Sequence, residues 1–204
     1  MSEFDVRAQD WDMNPMHTER SMAIANQMMK TLLLSKTMKA MEFGAGTGLL
    51  SYFLKDQFAE ITLVDSSIEM LKKASVKFEG QSNLHLETVY IDLEKEEYTG
   101  GTFDVIYSQM VLHHIKDVSL ILKKFHRLLN PGGILAIADL YQEDGSFHDG
   151  DLNVHHGFDP EKLVTILRLM DFQVTGATPC FVIKKELASK EIREFPVFLI
   201  NAVK

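Results

Sequence analysis

The sequence predicts an α/β protein built on a doubly wound, mostly parallel β-sheet. Over residues 38–140, short β-rich apolar runs alternate with amphipathic stretches, which is typical of βαβ units. The run 134–140 is almost wholly apolar, as expected of a strand covered on both faces. Because crossovers between parallel strands are right-handed, helices should cover both faces of a Rossmann-like sheet. The length of 204 residues and the 46% of hydrophobic residues suit one globular domain.

The first half of this pattern consists of strands that end at turns and helices that follow them. Ser66 and Glu69 are three residues apart, as in a capping box, and they predict a helix start just after the second strand. In chain order, the predicted elements are strand 39–43, helix 49–58, strand 61–64, helix 66–78, strand 84–91 and strand 103–107.

The second half begins with an amphipathic helix over 118–129, which the breaker Asn-Pro-Gly-Gly at 130–133 should end. Strand 134–140 follows, and then a polar, histidine-rich segment, 141–158, without periodicity. Asp159 and Pro160 have the character of an N-cap and a first helical residue, so a helix should run to about Met170. Two strand-like runs, 172–184 and 195–203, could pair as an antiparallel hairpin at the sheet edge.

The N-terminal segment, residues 1–37, is predicted to form a helical cap on the single domain 1–204. Met22, Ile24, Met28 and Met29 indicate an apolar helix face before the first strand. The helix could simply pack on the core, or it could be a lid over an acceptor pocket together with Phe4 and Trp11. The rest of the domain divides into a cofactor-binding half, 38–140, and an acceptor-side part, 141–204.

Composition and charge exclude several classes of protein. With 21 basic and 29 acidic residues the net charge is −8, and no basic run provides a nucleic-acid footprint or a polybasic membrane patch. The lone Cys180 cannot form an internal disulfide and fits a reducing compartment. The N-terminus lacks the features of a secretory signal, and no apolar run approaches the roughly 20 residues of a membrane span. We therefore expect a cytoplasmic protein without membrane insertion.

The sharpest motif is the loop Glu42-Phe43-Gly44-Ala45-Gly46-Thr47-Gly48, which follows a strand and opens a helix. Glycines allow a ligand to approach the backbone closely, and a helix start offers free N–H groups to an anion. The dinucleotide fingerprint needs Gly-x-Gly-x-x-Gly, but here the third glycine comes one residue early and Leu49 takes its place. This spacing disfavours a nucleotide-dependent oxidoreductase. A tight turn without a ligand is the plainer alternative.

Two acids after later strands extend this motif. Asp65 lies 21 residues after Gly44, where an acid that hydrogen-bonds ribose hydroxyls is expected. It could instead be a simple helix-start acid. Asp92 follows the third strand and could accept a hydrogen bond from an exocyclic amine, or be a solvated loop acid.

Five stretches together resemble one family: MEFGAGTGLL, LVDSSIEML, YIDLEKE, FDVIYSQMVLHHI and LLNPGGILAIADL. The chain resembles the class I S-adenosylmethionine-dependent methyltransferases, and more narrowly the small-molecule branch that includes the ubiquinone/menaquinone-biosynthesis type. The resemblance implies S-adenosylmethionine as cofactor. It also implies a seven-stranded sheet, mostly parallel, with an antiparallel last strand.

The resemblance further implies roles for individual residues. The glycine loop would pack under the methionyl part of the cofactor, and Glu42 would help to hold its amino end, with water as a possible intermediary. Asp65 would bind the ribose hydroxyls, and Asp92 would read the adenine amine. The implied cofactor-binding residues are Glu42, Gly44, Ala45, Gly46, Thr47, Gly48, Asp65, Ser66, Met70, Asp92, Leu93, Ser108 and Gln109.

The residues after the fourth strand narrow the class of acceptor. Methyltransferases that act on nucleic-acid amino groups carry prolines there, but this chain has Ser108-Gln109-Met110-Val111. We therefore expect a small-molecule acceptor with an oxygen, nitrogen or carbon nucleophile, and no nucleic acid. A protein that binds the cofactor without turnover is the alternative. The acceptor's identity and the oligomeric state are left open.

Histidines supply the remaining candidates for chemistry. His113 starts the helix after the fourth strand, while His155 and His156 lie in the irregular segment. We expect His156 to be the general base, with His155 and His113 as the other candidates. Packing or surface roles are the alternatives. No metal site is predicted, because His148, Asp149, His155 and His156 lack a standard ligand spacing.

Overall fold

In the computed structural model of the chain, which describes residues 3–81 and 84–204, the described residues form a seven-stranded sheet in the order β3-β2-β1-β4-β5-β7-β6. Strand β7 runs antiparallel to both β5 and β6, and the remaining neighbouring pairs are parallel. The predicted doubly wound sheet and its antiparallel hairpin are confirmed. The strands are β1 (Lys39–Phe43), β2 (Glu60–Asp65), β3 (His85–Tyr90), β4 (Phe103–Gln109), β5 (Leu129–Leu140), β6 (Gln173–Glu186) and β7 (Ile192–Val203).

Helices cover both faces of the sheet. Alternate residues of each strand point to opposite faces, and they divide the core in two. Helices α2, α3 and α4 contribute buried residues to one half, and helices α5 and α6 contribute to the other. The helices are α1 (Glu3–Arg7), α2 (Pro15–Thr31), α3 (Leu49–Leu54), α4 (Ile68–Lys77), α5 (Val118–Leu128) and α6 (Pro160–Leu169).

The predicted N-cap of α6 is confirmed, but that of α4 is wrong by one residue. The Asp159 side chain accepts a hydrogen bond from the Glu161 backbone N–H at 3.0 Å. In α4 the cap is Ser67, whose Oγ accepts from the Met70 N–H at 3.3 Å. The turn runs one residue further than expected because the Asp65 carboxylate accepts from the Ser67 N–H at 2.7 Å.

Two other element boundaries differ from the prediction. Helix α3 ends at Leu54 and continues only as a short 3₁₀ turn, Lys55–Gln57. The breaker at 130–133 does end α5, but the chain enters β5 directly at Leu129. The four residues are accommodated by a register shift against β4, as in a β-bulge.

The buried face of α2 differs in part from the predicted one. Ser21, Ile24, Ala25 and Met28 are buried, at the i, i+3, i+4, i+7 spacing of one helix face. Met22 is 45% exposed and Met29 is 37% exposed, so including them in the apolar face was wrong. The prediction followed the methionines of this segment. The face that the helix buries instead begins at the polar Ser21.

Within residues 3–81 and 84–204, no helix combines the length and the apolarity that crossing a bilayer requires.

Candidate active site

A cavity of about 1160 Å³ opens at the carboxyl ends of the parallel strands. The residues that follow β1, β2, β3 and β4 line one side of it. The N-terminal segment and part of the irregular segment after β5 line the other side. The cavity lies where the strand order changes direction, between β1 and β4, and this is the place where open α/β sheets bind ligands.

The glycine loop forms one wall of this cavity. Gly44 and Gly46 both line the cavity and have φ values of +63° and +54°, which side chains rarely adopt. A Cβ on Gly44 would overlap the Val111 side chain. A Cβ on Gly46 would meet only Met70 Sδ, at 3.9 Å, so that a side chain there would fill open cavity space. The loop is therefore a cradle whose exposed backbone fits a closely approaching ligand.

Asp65 borders the cavity and holds the cradle in shape. One carboxylate oxygen accepts a hydrogen bond from the Gly46 N–H at 2.7 Å, and the other accepts from the Ser67 N–H at 2.7 Å. Burial raises the pKa of Asp65 despite these donors. Each carboxylate oxygen can accept more than one hydrogen bond, so a vicinal diol in the cavity can still be bound.

The predicted cofactor-binding residues divide into two groups. The residues that line the cavity are Gly44, Ala45, Gly46, Asp65, Ser66, Met70, Asp92, Leu93 and Gln109. Glu42, Thr47, Gly48 and Ser108 are not among the lining residues. They lie behind the wall, where they can support the cradle.

Glu42 is fully buried behind the loop. Its Oε2 accepts hydrogen bonds from the Ser51 backbone N–H at 3.1 Å and from the Ser51 hydroxyl at 2.5 Å. Its Oε1 is buried without a hydrogen-bond partner among the described residues. Burial raises the pKa of Glu42 to about 8, so the side chain carries a proton at neutral pH. The Glu42 side chain is not among the residues that line the cavity.

The N-terminal segment closes against the cradle through two aspartates. Asp5 accepts a hydrogen bond from the Ser67 hydroxyl at 2.6 Å. Asp12 accepts from the Thr47 hydroxyl at 2.6 Å and pairs with Lys77 at 2.7 Å. The predicted lid residues Phe4 and Trp11 lie in this segment and line the cavity.

Arg20 is a site residue that the sequence reasoning missed. It lines the cavity from α2, yet only 6% of its surface is exposed. Its Nε has no hydrogen-bond partner among the described residues, and Nη1 reaches only Met16 Sδ at 3.8 Å. Burial lowers the pKa of Arg20 to about 10, so it stays charged at neutral pH. One feature of the sequence could have indicated it: Arg20 is a basic residue four positions before Ile24, on the buried face of α2.

His113 is the predicted catalytic candidate that the structure brings to the cavity. Its Nδ1 lies 2.6 Å from a carboxylate oxygen of Asp139, and both side chains are only 1% exposed. Burial alone would raise the pKa of Asp139, but the charge and hydrogen bond of His113 outweigh it and the pKa is lowered. The Asp139 carboxylate can accept a hydrogen bond from a proton on His113 Nδ1, and in that tautomer the lone pair is on Nε2.

His114 and His148 surround this pair. The His113 ring centroid lies 4.2 Å from that of His114 and 5.0 Å from that of His148. Burial lowers the pKa of His114 to about 3 and that of His148 to about 4, with His113 adding to both effects. Both rings are therefore neutral at pH 7.

His155 and His156 do not line the cavity. The Nε2 of His155 lies 2.9 Å from the Ile115 carbonyl oxygen, and the Nε2 of His156 lies 3.2 Å from the Asp151 carbonyl oxygen. The His155 contact ties the irregular segment to the turn after β4, whereas the His156 contact lies within the segment. Of the three predicted catalytic candidates, His113 alone is among the described residues that line the cavity.

Comparisons with known proteins agree with this geometry. The family model described as "Methyltransferase domain" matches residues 41–137. An uncharacterised methyltransferase of Schizosaccharomyces pombe is 30% identical over 149 residues, which are 64% of this chain and 52% of that protein.

Two solved structures show the same fold. The N-methyltransferase NodS of Bradyrhizobium japonicum in complex with S-adenosyl-L-homocysteine has a TM-score of 0.69 at 18% identity, over 94% of this chain and 88% of that one. A chain of the Haloferax volcanii complex between the Trm112 methyltransferase activator and a methyltransferase has a TM-score of 0.76 at 16% identity, over 100% of this chain and 98% of that one.

The chain spans about half the length of the curated relatives it matches, with 52% and 50% of two of them covered. The matched domain contains the strands that carry the cradle, Asp65 and His113, and the fold around it is that of the solved methyltransferases. Residues 41–137 therefore match the methyltransferase-domain family, and over this part the chain is similar to the class I S-adenosylmethionine-dependent methyltransferases.

Proposed function

We propose that the protein transfers the methyl group of S-adenosylmethionine to a nucleophile of a small molecule. The observation that carries this proposal is that one cavity joins the glycine cradle and Asp65 to the His113–Asp139 pair. When bound, the cofactor supplies an electrophilic methyl group. A cytoplasmic location, which the lone Cys180 fits, belongs to the proposal, as does the ubiquinone/menaquinone-type branch.

The cofactor end of the cavity is proposed to lie between the cradle, Asp65 and Arg20. Asp65 offers carboxylate oxygens to ribose hydroxyls, and Asp92 lies further along the same wall. Arg20 supplies a buried positive charge that lacks a hydrogen-bonded acid in the described chain. A guanidinium in this state suits the carboxylate of the methionyl group, since charge-assisted hydrogen bonds are the strong ones.

The acceptor end is proposed to lie against His113. With Nδ1 held by Asp139, Nε2 is the atom placed to act on the nucleophile, and a free imidazole can accept its proton. Phe4 and Trp11 line the same cavity and would shield a bound substrate from water. Methyl transfer needs little covalent help, so positioning and water exclusion should supply much of the rate.

Two observations support a small acceptor: the N-terminal segment that covers the cavity, and the net negative charge of the chain. The N-terminal segment is bonded to the α4 cap through Asp5 and to the cradle through Asp12, so that it covers one side of the cavity. The net charge of −8 disfavours a nucleic-acid substrate.

Calorimetry with S-adenosylhomocysteine and with NAD tests the cofactor part of this proposal. We expect S-adenosylhomocysteine to bind at one site and NAD not to bind. Preferential binding of NAD would instead support the nucleotide-dependent oxidoreductase.

A further inference from the structure

We propose that His113, His114 and His148 form a binding site for a divalent transition metal at the acceptor end of the cavity. The ligand-capable atoms of the three side chains all lie within 4.8 Å of one another. His113 and His114 come from the 3₁₀ turn after β4, and His148 comes from a second 3₁₀ turn after β5. Two separate segments therefore converge on one point of the cavity wall, which all three residues line.

His113 has the supporting contact that metal-binding histidines usually have. Its Nδ1 is paired with the buried Asp139 at 2.6 Å, so that Nε2 carries the free lone pair. Carboxylates behind ligating histidines fix the tautomer and the ring orientation, and they make the imidazole a stronger ligand. Asp139 is itself held by the Leu140 N–H at 2.7 Å, so the whole pair is rigid.

The other two rings lie beside the His113–Asp139 pair, and one of them has a free nitrogen within the described part of the chain. The Nε2 of His148 is buried and has no hydrogen-bond partner among the described residues. Such a group is costly in an apolar wall unless something binds it. His114 is half-buried beside it, with the ring centroids 5.1 Å apart.

The donor set indicates the kind of metal. Three imidazoles without a thiolate suit Zn²⁺, Co²⁺, Ni²⁺, Cu²⁺ or Fe²⁺ rather than Mg²⁺ or Ca²⁺. A Zn–N distance of about 2.0 Å places nitrogen ligands about 3.3 Å apart, so the rings must approach by about 1 Å or more. The turn that carries His148 lies between Gly145 and Gly150, both at positive φ, and the approach requires a shift of this turn.

Three protein ligands leave a coordination position open toward the cavity, as in catalytic rather than structural sites. If the proposed methyl transfer holds, this position would bind the acceptor through a hydroxyl or thiol group. The metal lowers the pKa of such a group, and its proton leaves to solvent. The oxygen or sulfur then attacks the sulfonium methyl, which gives a methyl ether or thioether and S-adenosylhomocysteine. The metal would then bind the Nε2 lone pair of His113, and it would activate the nucleophile in place of this histidine.

Metal binding by the full chain tests the site without any need for the acceptor. The chain is treated with chelator, titrated with Co²⁺ and followed by visible absorption, and zinc content is measured after dialysis. We expect one metal per chain, with the spectrum of nitrogen ligation. Absence of stoichiometric binding by the wild-type chain would overturn the proposal.

Variants locate the metal. We expect His148→Ala to weaken Co²⁺ binding at least tenfold and Asp139→Asn to weaken it about 10–100-fold. His85→Ala is the matched control, because His85 is exposed on β3 and does not line the cavity, and it should bind Co²⁺ as the wild type does. Unchanged binding by a folded His148→Ala variant, with folding checked by S-adenosylhomocysteine affinity, would also overturn the site.

The tests of the proposed function and of the metal site have independent outcomes. Methyl transfer without metal binding would remove the metal site alone. Stoichiometric metal binding without methyl transfer would keep the metal site and count against the proposed function.

Discussion

At the scale of single residues, Asp65 combines two tasks, because it shapes the cradle and borders the cavity. Asp65→Ala removes the acceptor for the Gly46 and Ser67 N–H groups as well as for a ribose. Hydrogen bonds to charged groups contribute about 1.5–3 kcal/mol each, so S-adenosylhomocysteine affinity should fall at least about tenfold. Calorimetry on Asp65→Ala measures this, with Glu69→Ala as control, because the half-buried Glu69 pairs with Lys72 and does not line the cavity. An unchanged dissociation constant in folded Asp65→Ala would mean that Asp65 is only a helix-start acid.

The position of Arg20 predicts that it binds the methionyl carboxylate of the cofactor. If its guanidinium binds the methionyl carboxylate, Arg20→Met should weaken S-adenosylhomocysteine binding by about tenfold or more. Methylthioadenosine lacks that carboxylate, so its affinity should hardly change. The two ligands are compared by calorimetry on the wild type and the variant. An equal loss for both ligands would assign Arg20 to packing of α2.

Glu42 predicts a pH dependence of stability. The folded protein keeps the carboxyl proton up to about pH 8, whereas an unperturbed glutamate with pKa 4.5 releases it earlier. The folded state thus binds more protons between these values, and the free energy of unfolding should fall as pH rises, by up to about 1.4 kcal/mol per pH unit. Glu42→Gln should flatten this slope. Urea unfolding of both proteins between about pH 5 and about pH 8 checks it. Parallel slopes would show that Glu42 ionises normally.

At the scale of elements, the N-terminal segment contacts the cofactor side of the cavity. A lid that covers only the acceptor would not make such contacts. Helix α1 buries none of its residues, yet Asp5 and Asp12 bond to Ser67 and Thr47. Deleting residues 1–13 should leave the thermal unfolding temperature nearly unchanged, because the buried residues of α2 remain. It should weaken S-adenosylhomocysteine binding and lower turnover. If both survive intact, the segment has no part in the site.

The elements also show where sequence reasoning succeeds. The strands, the α6 cap at Asp159 and the glycine cradle depend on local patterns, and the structure contains them. The cap of α4 was missed because it depends on the carboxylate of Asp65. The pairing of His113 with Asp139, 26 residues apart, depends on β4 lying beside β5, so it has no local signature.

At the scale of the whole molecule, the fold brings a buried cation, a glycine cradle and a carboxylate-backed histidine to one cavity. The sequence predicted the cradle and Asp65 from their spacing along the chain. It could not rank the histidines, because the path of residues 141–158 decides which rings face the cavity. That path places His148 in the cavity wall and pairs His155 and His156 with backbone carbonyls.

Methyl transfer is the measurement that tests this account most directly. Labelled S-adenosylmethionine is incubated with a low-mass metabolite extract and either the wild-type chain or His113→Gln. The account predicts a labelled small-molecule product with the wild type. With the variant, the rate of labelling should be lower by a factor of about 10² or more. S-adenosylhomocysteine affinity should be the same for both proteins. A wild-type chain that binds S-adenosylhomocysteine but labels nothing, or a His113→Gln variant with the wild-type rate, would contradict it.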